Sequence, residues 1–239
     1  MSRLQGALLS VALACAFAPA PAVAQYVGTT APLFPTLIVP LFPNAATIPF
    51  TGASAGHGQA RSAAPKATPP GTRLPAGVVS QIDANAADLA THFPPGLRGK
   101  MKATFTQSFG AFKQFERKLA LPDNDVATAI AAYIAGNYMI LHGVELPDAA
   151  FVKLVSQIRG GLQQSKGFPQ IPVQTRRKMY EQTAMVGMFM ATAQMARGTA
   201  TENPATIGNL QDSARANLAL VLGEPNAATL RIDGEGMHF

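Results

Sequence analysis

The sequence predicts an all-α fold: a single bundle-like domain of about six helices, preceded by a signal peptide and a Pro-rich arm of low order. Three observations carry that expectation. From Val78 onward, apolar residues recur at spacings of three and four between clusters of Pro and Gly. The run from Asn124 to Leu141 is rich in alanine and carries no charge after Asp125, the texture of a helix buried on most sides. Before Val78 the chain is dense in Pro, Ala, Thr and Gly, a composition that blocks helix and central strand.

Composition bounds the rest. A chain of 239 residues allows one sizeable domain with a tail, or two small ones. A hydrophobic content of 48% supports a core, while only 13% of residues are charged. The formal charge is +6, and loss of the first 24 residues removes only Arg3, leaving +5. That balance favours acidic partners such as anionic envelope polymers, although a solvated, mildly basic surface is the plainer explanation. The densest basic run, Arg176-Arg177-Lys178, has no interleaved aromatic residues to stack on bases, which argues against nucleic acid.

Met1 to Ala24 has the parts of a secretory signal peptide. Arg3 supplies the charge, Leu4 to Phe17 the apolar stretch and Ala22-Val23-Ala24 the cleavage site, leaving Gln25 as the first mature residue. Leu13-Ala14-Cys15 only partly resembles a lipoprotein signal, since Ala12 replaces the usual larger aliphatic and the residues after Cys15 stay apolar. With cleavage after Ala24 no cysteine remains, and thiol chemistry is excluded with it.

Gln25 to Gly77 forms the arm, with PLFP at Pro32 to Pro35 and again at Pro40 to Pro43. Leu33, Phe34, Leu41 and Phe42 make it too apolar for an inert linker. One reading is an adhesive segment that docks on a partner or on its own domain; the other is a low-order tail with incidental hydrophobicity. His57 to Pro75 reads as a flexible spacer.

The helical domain spans residues 78–223. Val78, Ile82, Leu89 and Phe93 mark a first helix, stopped by Pro94-Pro95-Gly96. Leu97, Met101, Phe105, Phe112 and Leu119 mark a second, whose lysines and arginines suit a membrane surface or, more commonly, an ordinary bundle helix. In the third, Val126, Ile130, Ile134, Tyr138 and Leu141 form one stripe, with Asp123 expected as N-cap and His142-Gly143 as the stop. Small residues at Ala127, Ala131, Ala135 and Gly136 let a neighbouring backbone approach closely. Leu146-Pro147-Asp148 opens a fourth helix with Phe151, Leu154, Val155, Ile158 and Leu162 on one face. The fifth, from about Val173 to Arg197, carries Met179, Met185, Met188, Met190 and Met195 and is the expected core partner of the third. Asn203-Pro204 begins a sixth, ended by Gly223. Residues 224–239 read as an extended tail containing a strand with nothing obvious to pair with.

The search for chemistry is mostly negative. The sequence contains no Gly-rich phosphate loop, HExxH, Gly-x-Ser-x-Gly elbow or calcium loop, and no cofactor or metal set is recognised. No two of His57, His92, His142 and His238 stand at helical spacing from each other, and His142 reads as a cation at a helix end. The methionine stripe reads as core packing, without the His or Cys that soft-metal sites recruit. Glu181 shares a face with Met185 and Met188. Buried there, it could serve as a general acid or base; the plainer reading is a surface pair with Arg177. Asn137 lies on the stripe of Ile130 and Ile134 and needs a buried partner. An Asn137–Glu181 or Tyr138–Glu181 contact would satisfy both helices and set their register.

The segments NDVATAIAAYIAGNYMILHGVELPDAAF, KMYEQTAMVGMFMATAQ and ARANLALVLGEPNAATLRIDGEGM resemble a family of exported bacterial proteins of unknown function. The resemblance covers about Ala76 to Phe239 and leaves the Pro-rich segment outside. It implies an envelope or secreted setting and an all-α domain, and it brings no activity. The expectation is therefore a non-catalytic exported protein binding an envelope or surface protein or an anionic envelope polymer. The alternative is a carrier of a small apolar ligand between the core helices, oriented by Glu181 or Asn137. No transmembrane helix is expected after signal cleavage.

Overall fold

A computed structural model describes residues 71–197 and 204–239. The signal segment with Cys15 and the arm with Leu33, Phe34, Leu41 and Phe42 lie outside the described residues, as do His57 and Asn203. The elements are α1 (Ile82–Ala90), α2 (Arg98–Lys118), α3 (Val126–His142), α4 (Asp148–Gln164), α5 (Val173–Met195), α6 (Pro204–Leu222) and α7 (Glu224–Thr229). A hairpin, β1 (Arg231–Asp233) and β2 (Gly236–His238), closes the chain.

The fold is all-α, built on α3 and α5. From Val126 to Asn137 every residue of α3 is buried, and so is every residue from Met179 to Met190 of α5. The two helices run parallel: Asn124 meets Arg177 near their starts, and Gly136 meets Gly187 further along. At the crossing, a Cβ on Gly187 would stand 2.5 Å from both the Ala132 oxygen and the Tyr133 nitrogen. A Cβ on Gly136 would stand 2.9 Å from the Gly187 carbonyl carbon and closer still to its oxygen. The small residues expected to admit a neighbouring backbone thus do so at Gly136.

The other helices cover this pair. α2 buries Met101, Phe105, Phe109 and Phe112 against α1 and α5; the Phe105 ring lies 5.6 Å from Phe189, and Phe109 and Phe112 each lie 5.8 Å from Tyr180. Its outer lysines make surface pairs, Lys102 with Asp83 at 2.7 Å and Lys118 with Asp148 at 2.8 Å. α2 is a bundle helix. Its Gly110 is exposed, and an added Cβ would meet nothing within 4 Å. Gly110→Ala is expected to stabilise the protein by up to about 1 kcal/mol, read from the denaturant midpoint, because only helix propensity changes there.

Three expectations are corrected. The N-cap of α3 is Asp125, whose carboxylate accepts from the Ala127 amide at 3.2 Å, and not Asp123. Asn124 adopts φ +58°, and this left-handed step leaves Asp123 exposed. The spacer does not run free to Pro75: Thr72 and Leu74 are buried, and residues 72–74 bridge onto the turn before α3. The end of the chain is not a lone strand in an extended tail. α7 precedes it, and the strand pairs with its own continuation, Ile232 opposite Met237. The Gln157 side chain clasps that hairpin like a third strand, accepting from the Met237 amide at 2.6 Å and donating to its carbonyl at 3.2 Å. Ala227, Leu230, Ile232 and Met237 thereby join the same apolar core as Leu74.

Candidate functional site

The densest polar chemistry sits at the turn between α2 and α3. The C-terminus of α2 closes with Ala120 in the left-handed region at φ +50°, the Ala120 amide on Arg117 O at 3.1 Å and the Leu121 amide on Glu116 O at 2.9 Å. Pro122 then prevents the helix from resuming. The next three residues, Asp123, Asn124 and Asp125, each end a separate chain of hydrogen bonds.

Asp123 accepts from Lys113 Nζ at 2.7 Å. The same ammonium pairs with Glu116 and donates to the Tyr180 hydroxyl at 3.1 Å. The Tyr180 hydroxyl donates to both Glu116 oxygens, at 3.2 and 3.1 Å. Glu116 has no exposed surface, and burial holds its pKa above the usual glutamate value against the opposing pull of Lys113. Burial, together with the Glu116 charge, raises Tyr180 strongly, so the phenol keeps its proton. Lys113 lowers Asp123.

Asn124 Oδ1 accepts from Arg177 Nη1 at 2.8 Å, and Arg177 Nε donates to Glu181 Oε1 at 2.6 Å. Glu181 is fully buried and accepts further from Ser80 Oγ at 2.7 Å, Asn85 Nδ2 at 2.6 Å and the Gln81 amide at 3.1 Å. α1 has no side-chain cap of its own, so the Glu181 carboxylate of α5 sits at its positive end. Both sequence readings of Glu181 meet here: it is buried, and it pairs with Arg177, but that pair is buried too.

Asp125, also fully buried, accepts from Thr72 Oγ1 at 2.5 Å, Thr128 Oγ1 at 3.1 Å and Arg159 Nη2 at 2.5 Å. Backbone bonds run beside it, Leu74 N to Asn124 O at 2.9 Å and Val126 N to Thr72 O at 3.1 Å. Arg73 Nε reaches Asp123 O at 3.3 Å. One tripeptide therefore ties α1, α2, α4, α5 and the base of the arm together. Chemically these carboxylates are cross-links whose oxygens are already occupied by donors.

Asn137 and Tyr138 lie elsewhere, and neither touches Glu181. Asn137 donates to Tyr133 O at 2.8 Å and accepts from Asn217 Nδ2 of α6 at 2.9 Å. Tyr138 is half-buried beside His142, ring centroids 4.3 Å apart. The reason is register. With α3 and α5 parallel, Asn137 falls beside Gly187, about 9 Å along the axis from Glu181 at 1.5 Å per residue. His142 does end α3, but partial burial lowers its pKa, which favours the neutral ring over the expected cation.

Sequence reasoning missed Glu116, Asn124, Arg159, Ser80, Asn85 and Thr72. Glu116 hides among Lys113, Arg117 and Lys118 on what reads as a solvated face; its spacing of three from Lys113 was the available signal. Among the described residues, no three His, Cys, Asp or Glu side chains are grouped to hold a metal ion, and no helix is long and apolar enough to cross a membrane.

A model of one protein family matches the chain over residues 5–239. The chain belongs to DUF6683, a family of unknown function. The DUF6683 match is wider than the sequence resemblance indicated, since it takes in the Pro-rich segment as well as the helical body. No curated protein and no solved structure matches the chain significantly.

Proposed function

We propose that this DUF6683 member is an exported bacterial protein with a non-catalytic binding role, in which the helical body grips the base of an apolar arm that engages an envelope partner. The observation that carries this reading is the anchorage at residues 72–74. Thr72 is bonded to a buried carboxylate, Leu74 is buried, and two backbone bonds hold the strap to the α3 turn. An inert tail needs no such anchor. Leu33, Phe34, Leu41 and Phe42 precede this anchor in the sequence, so an apolar stretch is joined to the body at a fixed point. Envelope proteins and anionic envelope polymers are the partner classes that suit the apolar arm and the basic balance.

The test is fractionation of bacteria expressing the full chain or a deletion of residues 25–70 that keeps the signal segment and the strap. The full chain is expected to sediment with the envelope and the deletion to be released with soluble exported protein. Equal sedimentation of both would overturn the role of the arm. The mass of the recovered protein checks export: a chain beginning at Gln25 supports it, lipid on Cys15 would instead make the protein anchored, and an uncut chain in the cytoplasm would end the reading.

One observation favours a second reading, the carriage of a small ligand between core helices. Among the described residues, the buried Tyr133 hydroxyl and Asn217 Oδ1 have no hydrogen-bond partner, and Asn137 bonds to both residues. Native mass spectrometry of the purified chain distinguishes the two: a stoichiometric copurifying molecule, lost on Asn217→Leu, favours the carrier.

A further inference from the structure

The three chains that meet at residues 123–125 differ in one respect. Those ending at Asn124 and Asp125 each set a guanidinium against a buried carboxylate, Arg177 on Glu181 and Arg159 on Asp125. The chain ending at Asp123 has two carboxylates, Glu116 and Asp123, drawing on one ammonium, Lys113. Glu116 is fully buried while the Asp123 side chain is 62% exposed. Their contest over Lys113 depends on charge, because the two carboxylates also repel each other.

We propose that Glu116, Tyr180 and Lys113 form a proton-responsive lock on the 123–125 turn. When Glu116 takes up a proton, Lys113 passes wholly to Asp123 and the strap at residues 72–74 is held more tightly.

The surroundings support this from every side. On α2, Lys113 faces Glu116 directly, and Arg117 acts on Asp123 from one residue beyond it. On α5, the Tyr180 hydroxyl spans both Glu116 oxygens and Arg177 lies 5.5 Å from the centre of the same ring. From the turn, Asp123 holds Lys113 and the Asn124 backbone faces the Tyr180 oxygen. From the strap, Arg73 bonds the Asp123 carbonyl. Tyr180 accepts from Lys113 and donates to Glu116; on a protonated Glu116 the remaining carbonyl oxygen still takes the Tyr180 proton, while the charge that held Lys113 is gone. Asp123 stays ionised, since Lys113 already favours its charged form. Loss of the Glu116 charge removes both the competitor for Lys113 and the repulsion on Asp123.

The sign follows from burial. The folded state binds the Glu116 proton more tightly than the unfolded chain does. This group's contribution to stability is therefore complete below the ordinary glutamate pKa and is lost as pH rises through the folded value. Asp88, Asp123 and Asp233 have lowered values and work in the opposite sense, each losing its contribution only further into acid. Between those ranges, mild acid tightens the turn. A benefit to the cell rests on the arm-anchoring reading above, whereas the proton site itself does not. The experiment below reads only the site, so the two can fail separately.

The chain has no tryptophan and four tyrosines, so tyrosine emission is unobscured. A phenol donating to a carboxylate is quenched, and protonation of that carboxylate relieves the quenching. In the full chain, lowering pH from about 7.5 to about 4.5 is expected to raise emission with a midpoint above the usual glutamate pKa. The rise is expected to vanish in Glu116→Gln and in Tyr180→Phe and to survive in Tyr138→Phe, which removes the phenol hydroxyl from the ring beside His142. Over the same range, protection of the Leu74 and Val126 amides from hydrogen exchange is expected to increase several-fold in the native chain and stay level in Glu116→Gln. Should Glu116→Gln fold too poorly to titrate, Lys113→Met is expected to move the emission midpoint upward and to abolish the change in amide protection. Identical emission profiles in native chain and Glu116→Gln would overturn the proton site. An emission titration with no change at Leu74 and Val126 would overturn the lock.

Discussion

Gly187→Ala is expected to destabilise the protein by about 3 kcal/mol. The new Cβ would stand 2.5 Å from the Ala132 oxygen and the Tyr133 nitrogen, closer than a carbon can come to either. Those are backbone atoms inside a helix, so no side chain can swing aside; α3 and α5 must separate along their whole shared length. Alanine returns about 1 kcal/mol of helix propensity, which offsets only part of the loss. Because every residue of α3 near the crossing is buried, separation would also open voids around Ile134 and Tyr133 that the surrounding helices cannot fill. Chemical denaturation of Gly187→Ala beside Gly110→Ala makes the comparison internal, with the same chemical change and opposite signs. A Gly187→Ala midpoint at or above that of the parent chain would show that the helices are not in backbone contact.

Glu181→Gln is expected to cost about 3 kcal/mol and to loosen α1 before the rest of the body. The carboxylate accepts from Arg177, Ser80, Asn85 and the Gln81 amide. A glutamine amide has the same shape but turns one acceptor into a donor. Either orientation of that amide sets N–H against N–H or O–H, because donors approach both oxygens. Arg177, with a side chain only 10% exposed, keeps Asn124 as an acceptor but loses its counter-charge. A typical domain holds about 5–15 kcal/mol in total, so the change is large. Arg177→Met should cost less, since three donors still serve the carboxylate. Hydrogen exchange should find the Asn85 to Leu89 amides released early in Glu181→Gln. Wild-type exchange in α1 combined with an unchanged denaturation midpoint would mean that Glu181 does not hold that helix.

Both predictions rest on features of which the sequence displayed one half. That Gly136 belongs to a helix flat enough for close approach was legible, because a run of Ala and Gly without charge has few other uses. That Gly187 supplies the opposing surface was not, since it sits among large methionines and nothing local pairs one glycine with another. Glu181 was legible as a carboxylate sharing a face with Met185 and Met188. Its partners were not, for Ser80 and Asn85 stand about a hundred residues earlier on a helix whose docking angle no local pattern encodes. Asp123 reads as the N-cap of α3, yet Asp125 is the cap. A helix start explains acidic residues there by itself, and nothing local to the turn shows the distant groups that they bind. The arm anchor was missed because Thr72-Arg73-Leu74 has the composition of the spacer around it and gains its structure only from contact with the α3 turn.

Taken alone, the sequence determined six of the helical stretches, though not α7, and which of them are interior, because periodicity and the absence of charge are properties of a few neighbouring residues. It therefore specified an all-α body with Val126–Leu141 and the methionine-rich helix inside it. Tertiary structure alone decided which polar groups meet. That outcome depends on the direction and register of α3 against α5, set by backbone contact at Gly136 and Gly187. A shift of one turn, about 5.4 Å, would part Asn124 from Arg177 and unlink the α3 turn from the bonds around Glu181.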